Sequence, residues 1–141
     1  MGDRRQAREL ALQALFALDM EKALPSQDLD ENLDAFCATN EEKLTKSVKP
    51  FFLELVQGVN ENYSQIDGFL DKYSKHWKIS RMPVVDRNIM RISVFEFLKH
   101  SDIPCSVTIN EAVEIGKKYG TKDSGSFING VLDRIKIQEN F

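Results

Sequence analysis

Apolar residues recur along this chain at helical spacing almost without interruption. Ala7, Leu10, Ala11, Ala14, Leu15 and Leu18 fall at i, i+3, i+4, i+7, i+8 and i+11, which predicts an amphipathic first helix over about Asp3–Met20. Pro25 closes that segment, and residues 28–39 read as a shorter acidic helix carrying Leu29, Leu33 and Phe36. Pro50 suits the first turn of a third helix with Phe51, Phe52, Leu55, Val56 and Val59. A fourth carries Ile66, Phe69, Leu70, Tyr73 and Trp77 at the same spacing. Pro83 opens a fifth, about 84–100, that is apolar on most sides and is therefore expected at the centre of the fold. Thr108-Ile-Asn-Glu111 fits a capping box at the start of a sixth helix, and Gly120 stands where a left-handed stop would end it. A loop at 121–125 leads to a seventh with Phe127, Ile128, Val131, Leu132 and Ile135. Gly130 lies inside that helix, where glycine costs about 1 kcal/mol against alanine, so close packing against a neighbour is expected there. No stretch alternates apolar and polar residues as a strand would. The expected fold is all-α: one domain over 1–141 with about seven helices around a shared core.

Composition narrows the function classes. The 141 residues are 42% hydrophobic and 29% charged, a soluble globular balance, and no apolar run is long enough to span a membrane. The N-terminus is charged from Asp3 and has no apolar signal core, and Gln6 stands where a myristoylation motif wants Ser or Thr. Cys37 and Cys105 are far apart and form no zinc-type spacing, so neither metal nor cofactor is expected and the setting reads as reducing and cytoplasmic. Net charge is −3, which argues against a protein that coats nucleic acid indiscriminately. The charge is uneven, however. Residues 19–46 hold eight acids against three lysines, whereas residues 72–99 hold seven bases against Asp86 and Glu96. The acidic stretch reads as a solvated helix face; Arg4, Arg5 and Arg8 add a second basic patch at the N-terminus.

Catalytic chemistry is not visible. The chain has no phosphate-binding glycine loop and no nucleophile elbow. His76 and His100 sit at expected helix ends, where a histidine pairs favourably with the helix dipole. Glu96 falls on the face of Val85, Ile89 and Ile92 and is expected to be a buried structural carboxylate held by backbone N–H groups or a basic partner. Two other features suit nucleic acid. Arg5, Arg8, Leu12 and Phe16 share the side of the first helix opposite its core stripe, an arrangement that would bind phosphates and stack on an unpaired base. The alternative is a helix covered on both sides, with Phe16 in the core. Arg87 and Arg91, one turn apart on the fifth helix, can follow a phosphate backbone or form ordinary ion pairs.

Three blocks in order resemble the NusB family of transcription antitermination factors. The run from Arg4 to Phe16 (RRQARELALQALF) resembles the family's opening helix, VVDRNIMRISVFEF (84–97) its central helix, and DIP at 102–104 with INEAVEIGKKYGTKDSGSFINGVLD (109–133) its C-terminal signature. The resemblance implies an all-helical protein of two packed subdomains and no enzyme. It implies binding of single-stranded boxA-type RNA jointly with a ribosomal protein that doubles as elongation factor NusE. That pair nucleates a complex with RNA polymerase that resists termination, particularly in ribosomal RNA operons.

By residue, the resemblance assigns RNA contact to Arg4, Arg5, Arg8, Arg87 and Arg91. It places Asp86 toward the partner protein, Asp123 and Phe127 where partner and RNA surfaces meet, and Phe16 near that junction. Family members occur as monomers and as dimers, so a homodimer stays open. Two alternatives remain at this level. One is a helical module that binds protein only. The other is a domain like the N-terminal part of RNA cytosine methyltransferases, disfavoured because no cofactor-binding domain or catalytic cysteine follows before Phe141.

Overall fold

The computed structural model describes residues 2–75 and 77–141, so the expectation for His76 lies outside the described residues. These hold seven α-helices and no strand: α1 Asp3–Met20, α2 Leu29–Thr39, α3 Lys49–Glu61, α4 Tyr63–Tyr73, α5 Val84–Lys99, α6 Cys105–Tyr119 and α7 Ser124–Gln138. A 3-10 turn, Ile79–Arg81, stands between α4 and α5. Among the described residues no helix is long and apolar enough to cross a membrane.

Prolines set several of the starts. Pro50 lies in the first turn of α3, where its missing N–H leaves no helical bond unmade. Pro83 and Pro104 each hold an extended backbone immediately before α5 and α6. Asn62 lies between α3 and α4, and the Gly58 carbonyl accepts both its backbone N–H at 3.0 Å and its side-chain amide at 2.8 Å, which closes the end of α3.

As its apolar circumference predicts, α5 is the centre. It packs against α1, α3, α4, α6 and α7, and eleven of its 16 residues are buried. α6 and α7 form the most extensive helix pair, while α1 lies on α3 and α5. The approach of α3 to α5 is close at one point. A Cβ on Gly58 would stand 2.1 Å from the Phe95 ring, so only glycine fits.

Four expectations fail in detail. α6 begins at Cys105, so Thr108 is not its N-cap; the Thr108 hydroxyl instead donates to Glu96 Oε1 at 3.2 Å. Gly120 is not left-handed (φ −96°, ψ −157°). It is required by space, because a Cβ there would lie 2.3 Å from Ser124 Oγ. Gly130 is not closely packed: a Cβ would meet only Arg134 Nη1, at 3.6 Å. Trp77 does not continue α4, which ends at Tyr73, and its ring is 51% exposed.

Candidate nucleic-acid interface

The three N-terminal arginines stand at three depths. Arg4 is exposed, with its guanidinium 4.9 Å from the centre of the Phe51 ring. Arg5 is half-buried and paired with Glu111. Arg8 is buried: Nε donates to Glu96 Oε2 at 2.9 Å and Nη2 to Glu96 Oε1 at 2.8 Å. Its Nη1 also reaches Glu111 Oε1 at 3.4 Å, and the Phe51 ring covers the guanidinium at 5.4 Å. Arg8, expected at RNA phosphate, is thus engaged inside the protein. A fork-to-fork pair with a buried carboxylate uses the geometry a phosphate would need. The same contacts give Glu96 the structural role expected of it.

The α5 arginines are turned inward as well: of the two roles open to them, Arg87 and Arg91 both form ion pairs. Arg87 holds Asp19 of α1 through Nε and Nη2 at 2.7 and 2.8 Å. Arg91 is 2% exposed and uses all five of its donors: two on Asp67, and one each on Asp19, Asn88 and the Tyr63 hydroxyl, all between 2.8 and 3.1 Å. It ties α1, α4 and α5 together. Burial pushes the Asp19 carboxyl up, but hydrogen bonds from Arg87 and Asn88 and the charge of Arg91 outweigh that and hold it below the ordinary carboxylate range.

What remains at the surface is an edge running from α1 to the start of α7. Glu9 accepts from the Tyr119 hydroxyl at 2.6 Å and from Lys118 at 2.7 Å, so this face of α1 lies along the C-terminal end of α6. Phe16 and Met20 continue the same face at helical spacing and are 38% and 59% exposed. Phe16 thus takes neither the core position of the covered-helix reading nor a place beside an exposed Arg8, since Arg8 and Leu12 are both buried.

Beyond this edge opens a groove of about 690 Å³, walled by Trp77, Arg81, Asp86, Asp123 and Phe127 among others. Asp123 is exposed at its rim and Phe127 is half-buried. Asp86 is buried at 3% exposure and accepts from Ser124 Oγ at 2.7 Å, so it lines the wall without projecting. Burial raises its pKa, and the Ser124 hydroxyl offsets that only in part. The structure therefore groups Asp86, Asp123 and Phe127 at one groove, leaves Arg4 without an ion pair among the described residues at the far end of α1, and holds Arg5, Arg8, Arg87 and Arg91 in ion pairs. Sequence reasoning missed Trp77 and Arg81 as walls of the groove. The signal present was the run of Lys75, Lys78 and Arg81 around one aromatic residue ahead of Pro83.

Among the described residues no group of three His, Cys, Asp or Glu side chains could hold a metal ion. Comparison with known proteins gives a consistent picture. A match to the NusB family covers residues 5–136. The transcription antitermination protein NusB of Desulforapulum autotrophicum is 56% identical over 99% of this chain and 95% of its own length. That of Myxococcus xanthus is 41% identical over 99% of both. Among solved structures, T. maritima NusB superposes with a TM-score of 0.79 at 36% identity, covering 98% of this chain and 92% of that one. A chain from a crystal structure of antitermination factors NusB and NusE in complex with dsRNA gives 0.80 at 27% identity over 98% of both chains. This chain, with its central α5 and its α6–α7 pair, belongs to the NusB family.

Proposed function

We propose that the chain is a transcription antitermination factor that binds boxA-type RNA together with NusE. The observation that carries this reading is its likeness, over 98% of both chains, to a chain from a crystal structure of NusB and NusE with dsRNA. The surface supports it. Arg4 offers an unpaired guanidinium for phosphate at one end of α1, while Phe16, Phe127 and the acids Asp86 and Asp123 mark the other end. An exposed phenylalanine stacks on unpaired bases, which favours a single-stranded element. Asp123 at the groove rim suits a basic protein, and the ribosomal partner is read as docking there.

A chain of net charge −3 with few free arginines holds a short RNA weakly by itself. Joined to a basic partner on the same RNA, it gains effective concentration without new contacts. The pair then seeds the larger assembly on RNA polymerase, in the cytoplasm where nascent ribosomal RNA is made. The working unit is one copy of this chain beside one NusE; sedimentation of the free protein tests the homodimer.

Titrating a labelled boxA-type RNA and a scrambled RNA into the chain, with and without NusE, tests the proposal. The expected result is weak binding alone and binding at least tenfold tighter, and selective for the boxA-type sequence, when NusE is present. Equal affinity for both RNAs with NusE present would overturn it.

A further inference from the structure

The segment between α4 and α5 carries the chain's single tryptophan and presents it to solvent. Trp77 is 51% exposed, yet the segment around it is fastened. Ser74 Oγ donates to the Trp77 carbonyl at 2.5 Å. The Ile79 N–H donates to Asp71 Oδ1 at 3.1 Å, Arg87 Nη1 donates to the Ile79 carbonyl at 3.2 Å, and Met82 is buried. The bonded backbone at the Trp77 carbonyl and at Ile79 carries the indole at the surface, where its apolar face is open to a ligand.

Cations outnumber acids around it. Lys75, Lys78 and Arg81 are exposed and make no ion pair among the described residues. Asp71 is the one acid of this groove and accepts the Ile79 N–H through Oδ1, so three cations stand against one carboxylate. Of the strongly basic stretch at 72–99, Arg87 and Arg91 are consumed internally and Lys72 is paired with Glu139. Of the four left, Lys75, Lys78 and Arg81 cluster beside the tryptophan, and Lys99 lies in the last turn of α5. Trp77 and Arg81 also wall the neighbouring groove that holds Asp123 and Phe127, so the two surfaces are continuous.

We propose that Trp77, Lys75, Lys78 and Arg81 form a second single-stranded RNA contact that takes nucleotides flanking the element bound at the α1–α7 edge. One base stacks on the indole and the three cations hold adjacent phosphates. This rests on the RNA-binding reading above. A basic protein would be repelled by three free cations, whereas a polyanion with aromatic bases matches both features of the surface.

The test uses the full chain with NusE and two RNAs carrying a terminal dye, a minimal boxA-type element and the same element extended by several nucleotides on each side. The dye reports binding independently of the protein, and Trp77 reports its own surroundings as the only tryptophan in this chain. A tryptophan-free NusE keeps that signal clean. The extended RNA should quench Trp77 emission and the minimal RNA should not. Trp77→Ala should weaken the extended RNA by about fivefold or more while leaving the minimal RNA unchanged, and Trp77→Phe should restore most of the loss. Lys78→Gln with Arg81→Gln should make the log–log salt slope for the extended RNA shallower by about 1.4, two phosphates' worth on a single strand.

Normal extended-RNA affinity for Trp77→Ala without quenching would overturn the second contact. So would loss of NusE binding, in the absence of RNA, by these variants, which would make the surface a protein dock. Failure of either RNA to bind the unaltered complex would instead remove the RNA-binding reading itself.

Discussion

Arg8 of α1 and Glu96 of α5 meet through two parallel hydrogen bonds of 2.9 and 2.8 Å, and both side chains are almost fully buried. Thr108 of α6 donates to the same carboxylate, so three helices share one charge pair. Removing one member leaves the other buried without compensation. Arg8→Ala should therefore cost about 3–5 kcal/mol. The double variant Arg8→Met, Glu96→Leu should recover most of that loss, because two apolar side chains of similar size leave no orphaned charge. Denaturant melts of the three proteins check this; an Arg8→Ala variant within about 0.5 kcal/mol of the parent, the range of ordinary surface changes, would contradict it.

Arg4 and Arg91 should separate binding from folding. Arg91→Ala strips Asp67 of its two-pronged partner, removes one of the donors on Asp19 and should lower the melting temperature sharply. Arg4→Ala removes an exposed guanidinium stacked on Phe51 and should change stability by no more than about 0.5–1 kcal/mol, the scale of an exposed cation–π contact. Thermal melts of both variants settle the contrast.

The depth of these side chains marks where sequence reading stops. The boundaries of α1 and α5 and the burial of Glu96 follow from periodicity, because those helices carry long unbroken apolar patterns. The fate of Arg8 depends on a partner 88 residues away, and no local spacing reveals it. A clue was present: Leu12 shares the Arg8 face, and an acid expected in the core needs a cation. Thr108 misled for a related reason. Its side chain was claimed by Glu96 while Pro104 supplied the helix start. At the groove, Asp123 and Phe127 were legible through resemblance, whereas Trp77 looked like a further turn of α4 because its spacing from Tyr73 is helical.

The glycines give opposite outcomes. Gly58→Ala drives a methyl into the Phe95 ring and should destabilise by about 1–3 kcal/mol. Gly130→Ala has room beside Arg134 and should stabilise by up to about 1 kcal/mol through helix propensity. Melting midpoints that shift the same way in both variants would refute this reading of the two sites.

Asp86 carries a pH dependence of definite sign. Burial raises its folded-state pKa above the ordinary value of 3.8, with the Ser124 hydroxyl opposing, so the ionised group disfavours the folded state at neutral pH. That penalty is relieved as pH falls through the folded pKa toward the ordinary carboxylate value. Asp86→Asn keeps an acceptor for Ser124 and should melt at or above the parent at pH 7, with the gap closing toward pH 4. Asp19, held below its ordinary pKa, works the other way: its contribution is present above about pH 4 in the carboxylate range and is lost as pH falls through its lower folded value. A gap between Asp86→Asn and the parent that widens on acidification would contradict the assignment.

The central claim is that RNA is held at a particular edge and not by overall charge. The most direct measurement compares two variants that each lose one positive charge: Arg4→Ala at the start of α1 and Lys136→Ala in the last turn of α7. With NusE present, the affinity of a labelled boxA-type RNA is followed across a salt series. The account predicts that Arg4→Ala weakens binding severalfold and makes the log–log slope shallower by about 0.7, one phosphate on a single strand, while Lys136→Ala leaves both unchanged. Equal losses in the two variants, or none in either, would contradict it.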